Sequence, residues 1–160
     1  IMGTFSKSFA SLGGFIACDK TITNYLRHHS RSYIFTASIT PASTAAVSAA
    51  LDIMMSEPER MDHLWEITNY ALEGFRNMGC EIGNTSTPII PLYIRDNNLT
   101  FMITKDLSDE GVFVNPVVSP AVAPHDTLIR FSLMATHTKE QVTIGLEKIQ
   151  KVFRKYNLIP

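Results

Sequence analysis

Cysteine is scarce in this 160-residue chain: Cys18 and Cys80 lie far apart and fit no metal-ligand spacing, which leaves no thiolate metal centre and makes reduced thiols in a cytosolic protein the simplest expectation. Net charge is scarce as well, 14 basic against 15 acidic residues for a balance of −1. That near-neutrality gives no electrostatic reason to expect nucleic acid or an anionic membrane as partner. No apolar run approaches the roughly 18 residues that suggest a spanning helix, and no basic-then-apolar leader opens the chain. Internal repeats and low-complexity tracts are also missing. What remains is an ordinary globular composition, 45% hydrophobic, at a length that suits one domain.

Hydrophobic periodicity and punctuation divide the chain into alternating strands and helices. Residues 1–4 read as the end of a buried strand and residues 15–18 as the next. Asp19 is placed to cap a helix over about 20–29, with Arg27, His28 and Arg31 near its end to complement the dipole. Adjacent histidines point apart on a helix, so His28 and His29 read as a solvated face rather than a metal pair. Residues 33–38 are β-prone. Thr40 followed by Pro41 predicts an N-cap with proline in the first turn of a small-residue helix over 42–55.

Ser56 and Glu59 have the spacing of a capping box, predicting a long helix to Met78 that Gly79 ends. Leu64, Ile67, Ala71, Phe75 and Met78 form its apolar stripe, and Trp65 reads as packing. A strand over 88–94, a helix over 99–110 capped by Asn98, and a short strand over 112–114 follow. Three prolines between 116 and 124 predict an irregular loop. A strand over 128–133 precedes a second capping box, Thr138 with Gln141, and a final helix to about Tyr156. The alternation indicates an α/β or α+β architecture with a boundary near Met55.

Two places carry possible chemistry. Lys7 stands among the hydroxyls of Thr4, Ser6, Ser8 and Ser11, with Gly13 and Gly14 six residues on. Hydroxyls and backbone amides in a Gly-containing turn suit a phosphate, and a lysine amine beside it suits Schiff-base chemistry on a carbonyl. A solvated lysine in a Ser-rich turn has the same spacing. Arg130 interrupts an apolar strand in which Ile129, Phe131 and Leu133 share one face, leaving Arg130 and Ser132 on the other. Its planar guanidinium suits a carboxylate ligand, or a salt bridge on an exposed strand face.

The stretch 3–15 resembles the cofactor-lysine segment of the α-oxoamine synthases. Residues 35–38 (Phe-Thr-Ala-Ser) and 129–138 (Ile-Arg-Phe-Ser-Leu-Met-Ala-Thr-His-Thr) resemble two later segments, most of all in the bacterial serine palmitoyltransferase branch. The resemblance covers essentially the whole chain and implies an α/β fold: the C-terminal part of a fold type I pyridoxal-phosphate transferase. Residues 1–55 would end its large cofactor domain and residues 56–160 form its α+β small domain. It also implies that the aspartate and the ring-stacking residue of the site lie upstream of the chain, so that the 160 residues alone neither hold the cofactor tightly nor turn over.

By this resemblance Lys7 holds pyridoxal 5'-phosphate through its amine and serves as the base that removes the substrate α-proton. Thr4 is a phosphate ligand. Thr36, Ala37 and Ser38 reach the phosphate of a neighbouring subunit, making an obligatory homodimer with shared sites. Ala37 stands where some relatives have threonine, so its contact would come from backbone, and Thr40 replaces the first proline of a usual pair. Arg130 holds the amino-acid carboxylate, His137 caps or packs, and the 115–124 loop lines the substrate entrance. The implied reaction is decarboxylative condensation of an amino acid with an acyl-CoA: L-serine with palmitoyl-CoA to 3-ketodihydrosphingosine in the cytoplasm, with no nucleic acid, metal or membrane span. The alternatives are 8-amino-7-oxononanoate synthase, glycine C-acetyltransferase, 5-aminolevulinate synthase, or a non-catalytic partner subunit.

Overall fold

A hairpin opens the chain. In the computed structural model, which describes residues 1–160 throughout, β1 (Met2–Thr4) and β2 (Gly14–Ile16) pair antiparallel with Met2 opposite Ile16 and Thr4 opposite Gly14. Within this chain both strands are largely exposed, where the sequence reading expected buried ones. Three helices follow, α1 (Lys20–His29), α2 (Arg31–Ile34) and α3 (Pro41–Ser56). α2 replaces part of the β-prone run. Ser30 caps it by accepting from the Tyr33 N–H, and no neighbouring strand competes for the backbone. Asp19 occupies the cap position of α1 without a side-chain bond, whereas Thr40 caps α3 by accepting from the Ser43 N–H at 3.1 Å, with Pro41 in the first turn.

Residues Ile1–Pro58 form one unit and Glu59–Pro160 a second. The predicted Ser56–Glu59 capping box does not form. Ser56 is the last residue of α3 and donates its hydroxyl back to the Asp52 carbonyl at 2.8 Å, and α4 (Glu59–Asn77) begins three residues later.

The second unit has a core. A three-stranded antiparallel sheet runs in the order β3 (Ile89–Tyr93), β5 (Leu128–Ser132), β4 (Asn115–Val117). Alternate residues Ile90, Leu92, Ile129, Phe131 and Leu133 are buried, against Ile67, Ala71 and Phe75 of α4, Ile103 and Leu107 of α5 (Asn97–Asp109), and Ile149 and Phe153 of α6 (Lys139–Lys155). Phe75 and Phe131 meet edge to face at 5.1 Å. The predicted stripe of α4 is therefore its buried face, although Trp65 is exposed. The Thr138 capping box forms with both of its bonds.

Three expectations shift here. Asp96, not Asn98, caps α5, accepting from the Leu99 N–H at 2.7 Å. The short strand lies at Asn115–Val117 rather than 112–114, inside the proline-containing stretch expected to be irregular. Pro116 is tolerated because β4 pairs only with β5 and is an edge, where one backbone side needs no partner. Pro91 sits on the opposite edge strand. Tyr93, two residues on, turns its N–H outward to the Glu81 carbonyl at 2.9 Å, so the Pro91 nitrogen faces the same outer side.

Candidate active site

Lys7 lies in a closed loop. The Phe5 N–H donates to the Gly13 carbonyl at 2.9 Å, the Ser11 N–H to Phe5 at 2.8 Å, and the Ala10 N–H to Lys7 itself at 2.9 Å. Ala10 takes a left-handed conformation (φ +48°) to complete this turn. Phe5 packs edge to face on Phe9 and stacks with Phe15 across the hairpin, so the base of the loop is aromatic and its rim is polar. The Lys7 side chain is exposed at that rim beside the exposed Ser6 and Ser8, and Thr4 ends β1 with its side chain likewise exposed. Between Ile1 and Cys18 there is no acidic residue, so the Lys7 charge is uncompensated along this stretch.

The glycine pair is needed for shape. Gly13 has φ +100°, and a Cβ there would come within 2.8 Å of the Ile39 side chain, while a Cβ on Gly14 would lie 2.6 Å from the Gly3 carbonyl oxygen. Ile39 thus packs on the lysine loop, and the Ser11 hydroxyl donates to the Ser43 carbonyl at 3.1 Å. These two contacts dock the loop against the chain that follows Thr36, Ala37 and Ser38. Those three residues are exposed. The Thr36 hydroxyl donates to the Ser32 carbonyl, so a role as phosphate donor requires it to rotate away from that partner.

Arg130 belongs to the second unit, on the central strand. Its neighbours across the sheet are Pro91 on β3 and Asn115 on β4, and it is exposed on the face opposite the core. Neither neighbour carries charge, and none of the ion pairs of the chain involves Arg130. The salt-bridged alternative is therefore not what the chain builds. Arg130 instead joins residues 115–121 in lining an open groove of about 700 Å³. Pro116, Val117, Val118, Pro120 and Ala121 make the lining mostly apolar, with Asn115, Ser119 and one cation, Arg130, among them.

His137 acts on the turn after β5. Its Nδ1 accepts from the Met134 N–H at 3.1 Å, and its carbonyl oxygen is 2.9 Å from Nε2 of His63 on α4. Both contacts are structural. Sequence periodicity missed His63, Ile39 and the Ser11–Ser43 contact, since each joins segments far apart in the chain; the neighbouring Gly13 was the only local signal.

Arg130 is the one titratable group that lines this groove. Arg95 holds the Glu81 carboxyl below its ordinary range by a side-chain hydrogen bond. Asp106 is likewise lowered, first by Lys155 (2.6 Å) and then by the Tyr156 hydroxyl (2.8 Å). Burial pushes the Cys80 thiol up to about 11, which leaves it unreactive at neutral pH. His28 bonds the Asn24 carbonyl and His29 stacks on Tyr25.

The profile of the family described as aminotransferase class I and II matches residues 1–149. A serine palmitoyltransferase of Bacteroides thetaiotaomicron is 62% identical over 99% of this chain and 40% of its own length. An 8-amino-7-oxononanoate synthase of Bacillus pumilus is 38% identical over 99% of this chain and 40% of its length. Among solved structures, Sphingomonas wittichii serine palmitoyltransferase superposes with a TM-score of 0.90 at 31% identity, over 99% of this chain and 40% of that one. The chain thus spans about two fifths of the length of the relatives it matches.

Proposed function

The chain belongs to the aminotransferase class I and II family, and from that premise we propose that the protein carrying it condenses an amino acid with an acyl-CoA using pyridoxal 5'-phosphate. The leading pair is L-serine with palmitoyl-CoA, giving 3-ketodihydrosphingosine for sphingolipid synthesis in the cytoplasm. A solved relative, a serine palmitoyltransferase variant, carries a bound PLP–myriocin aldimine.

The residues of the first unit fit that cofactor. A phosphate needs several hydrogen-bond donors and positive surroundings, and Thr4, Ser6, Ser8 and Lys7 supply them on a stretch without acid. When bound, the cofactor supplies an electron sink for the carbanion formed at the substrate α-carbon. Lys7 would hold it and, once its amine is released, accept the α-proton; that step needs a neutral amine, which burial or a nearby cation favours. Thr36, Ala37 and Ser38 would reach the phosphate of a second copy of the chain, making the sites shared across a homodimer. In the same reading residues 1–55 end a large domain and 56–160 form a small one, and the 160 residues alone neither hold the cofactor tightly nor turn over.

One observation carries the proposal: Arg130 is a guanidinium without an ion-pair partner in this chain, lining a mostly apolar groove. A carboxylate binds a guanidinium through two parallel hydrogen bonds, and an acyl chain gains by leaving water against proline, valine and alanine. An amino acid and a fatty acyl thioester have that pair of chemistries. Arg130→Lys in the intact enzyme should raise the amino-acid KM by roughly ten- to a hundredfold, because one bidentate contact is lost, while the melting temperature stays put. An unchanged KM would remove Arg130 from the site.

Cofactor absorbance separates the substrates. A spectral response to L-serine supports the palmitoyltransferase reading; response to L-alanine without serine would replace it by 8-amino-7-oxononanoate synthesis, the activity named for the 38%-identical relative. Lys7→Ala should lose the yellow cofactor band, and a retained band that can be reduced onto the protein would assign another lysine. A non-catalytic partner subunit is disfavoured because Lys7 is present and free at the loop rim.

A further inference from the structure

The wall of the groove is held from behind by the start of α5. The Ser119 N–H donates to Asn97 Oδ1 at 3.3 Å. Two residues earlier in α5's approach, Arg95 donates from Nη1 to the His125 carbonyl at 3.0 Å and to Asp126 Oδ1 at 2.7 Å. The same guanidinium pairs with Glu81 and lies 4.5 Å over the Tyr93 ring, and Arg95 adopts φ +70°, so its backbone is committed to this geometry. The backbone N–H groups of Ile94 and Arg95 both donate to the Thr127 carbonyl at 3.0 Å.

Between these anchors the loop has little else. Inside 118–126 the backbone bonds are Ala121 N–H to Val118 and Asp126 N–H to Ala123, both of which stay within the loop. β4 fixes the start of this segment by pairing with β5; beyond Val117, the position of residues 118–121 relative to Arg130 depends on Asn97 at Ser119 and on Arg95 at the far end, residues 125 and 126. We infer that Asn97 and Arg95 are positioning residues that set the acyl-chain wall of the groove, and hence the enzyme's preference among acyl thioesters. This rests on the reading of Arg130 and its groove given above. Neither side chain lines the groove itself; each acts through the loop.

The expected signature is a split between substrates. Freeing Ser119 moves the apolar wall but leaves Arg130, held in the central strand by both neighbours, where it is. In the intact holoenzyme, Asn97→Ala should raise the KM for palmitoyl-CoA roughly three- to tenfold, the value of one ordinary hydrogen bond. It should also broaden the preference for chain length, with kcat and the L-serine KM little changed. Asn97→Asp keeps an acceptor oxygen and should restore the wild-type values. Arg95→Ala should act in the same direction and Arg95→Lys restore part of the effect. Amide hydrogen exchange on the same holoenzymes should show Ser119 and Ala121 losing protection in Asn97→Ala while Ile90 and Phe131 keep theirs.

Unchanged exchange at Ser119 in Asn97→Ala would overturn the inference, as would equal changes in both KM values or an Asn97→Asp variant as impaired as Asn97→Ala. If wild-type enzyme uses no acyl thioester, the functional reading fails instead, and loop exchange still decides whether these residues anchor the wall. Should Arg95→Ala not fold, Asn97→Ala and Asn97→Asp decide alone.

Discussion

The two units use similar elements and differ in what they bury. In Ile1–Pro58 no residue is fully buried, and large apolar side chains such as Phe35, Met55 and Leu12 stand open. In Glu59–Pro160 a continuous core runs from α4 through the sheet to α6. The first unit is held by local devices: a three-pair hairpin, the Thr40 cap, the Ser11 tether and the Gly13–Ile39 contact. Such devices contribute about 1 kcal/mol each and do not offset the ordering of nearly sixty residues. The difference teaches that the lysine loop is placed on a unit whose stability must be supplied by surfaces it presents, whereas Arg130 is placed on the open face of a sheet that already has its own core.

That comparison can be broken most directly by separation. A 59–160 polypeptide should melt cooperatively by circular dichroism, and a 1–58 polypeptide should not; a sharp transition from 1–58 would refute the contrast. Next in size, Phe75→Ala should cost about 3–5 kcal/mol in denaturant unfolding of the second unit, since the ring is fully buried. Leu51→Ala, at an exposed position of α3, should leave that same transition within about 0.5 kcal/mol.

Caps test the same point on a smaller scale. Thr138→Ala removes a formed capping box and should destabilise the second unit by about 1 kcal/mol. Thr40→Ala removes an equivalent bond yet should leave the unfolding midpoint of 59–160 unmoved in the full chain. The smallest effect is a pH dependence. Asp106 is lowered in the fold, so its contribution is present above the ordinary carboxylate range and is lost as pH falls through the lowered value. Lys155 is raised, so its contribution is present below the ordinary lysine range and is lost as pH rises through the raised value. Asp106→Asn should flatten both limbs of the stability profile of the second unit; unchanged limbs would show that the cluster contributes nothing.

How far the sequence foretold this follows from where each signal resides. α4 and α6 were legible because burial against a sheet imposes a 3.6-residue stripe and a capping box is written in four consecutive residues. Arg130's exposed face followed from strand alternation alone. Residues 33–38 misled because β-propensity describes a fit to a pleated, half-buried surface, and this segment has none. Pro116 misled because composition does not distinguish an edge strand from a loop. The Asp96 cap was displaced by two residues among several capable polar side chains. The lysine site was legible mainly through resemblance, since the contacts that shape it, Ile39 on Gly13 and Ser11 on Ser43, join positions some thirty residues apart.

The prolines of the small sheet have one more consequence. Pro91 and Pro116 occupy the two outer strands and β5, between them, has none. The Pro91 nitrogen faces outward, and strand alternation turns Pro116 outward too, since Asn115 beside it faces β5. Each rim of the sheet therefore lacks a hydrogen-bond donor where an incoming strand would dock. A domain with a strongly apolar core and only three strands would otherwise be a template for edge-to-edge polymerisation whenever its surroundings are loosened. Each of the two imino acids removes one ladder donor from an outer strand, which makes that edge a poorer template for a further strand.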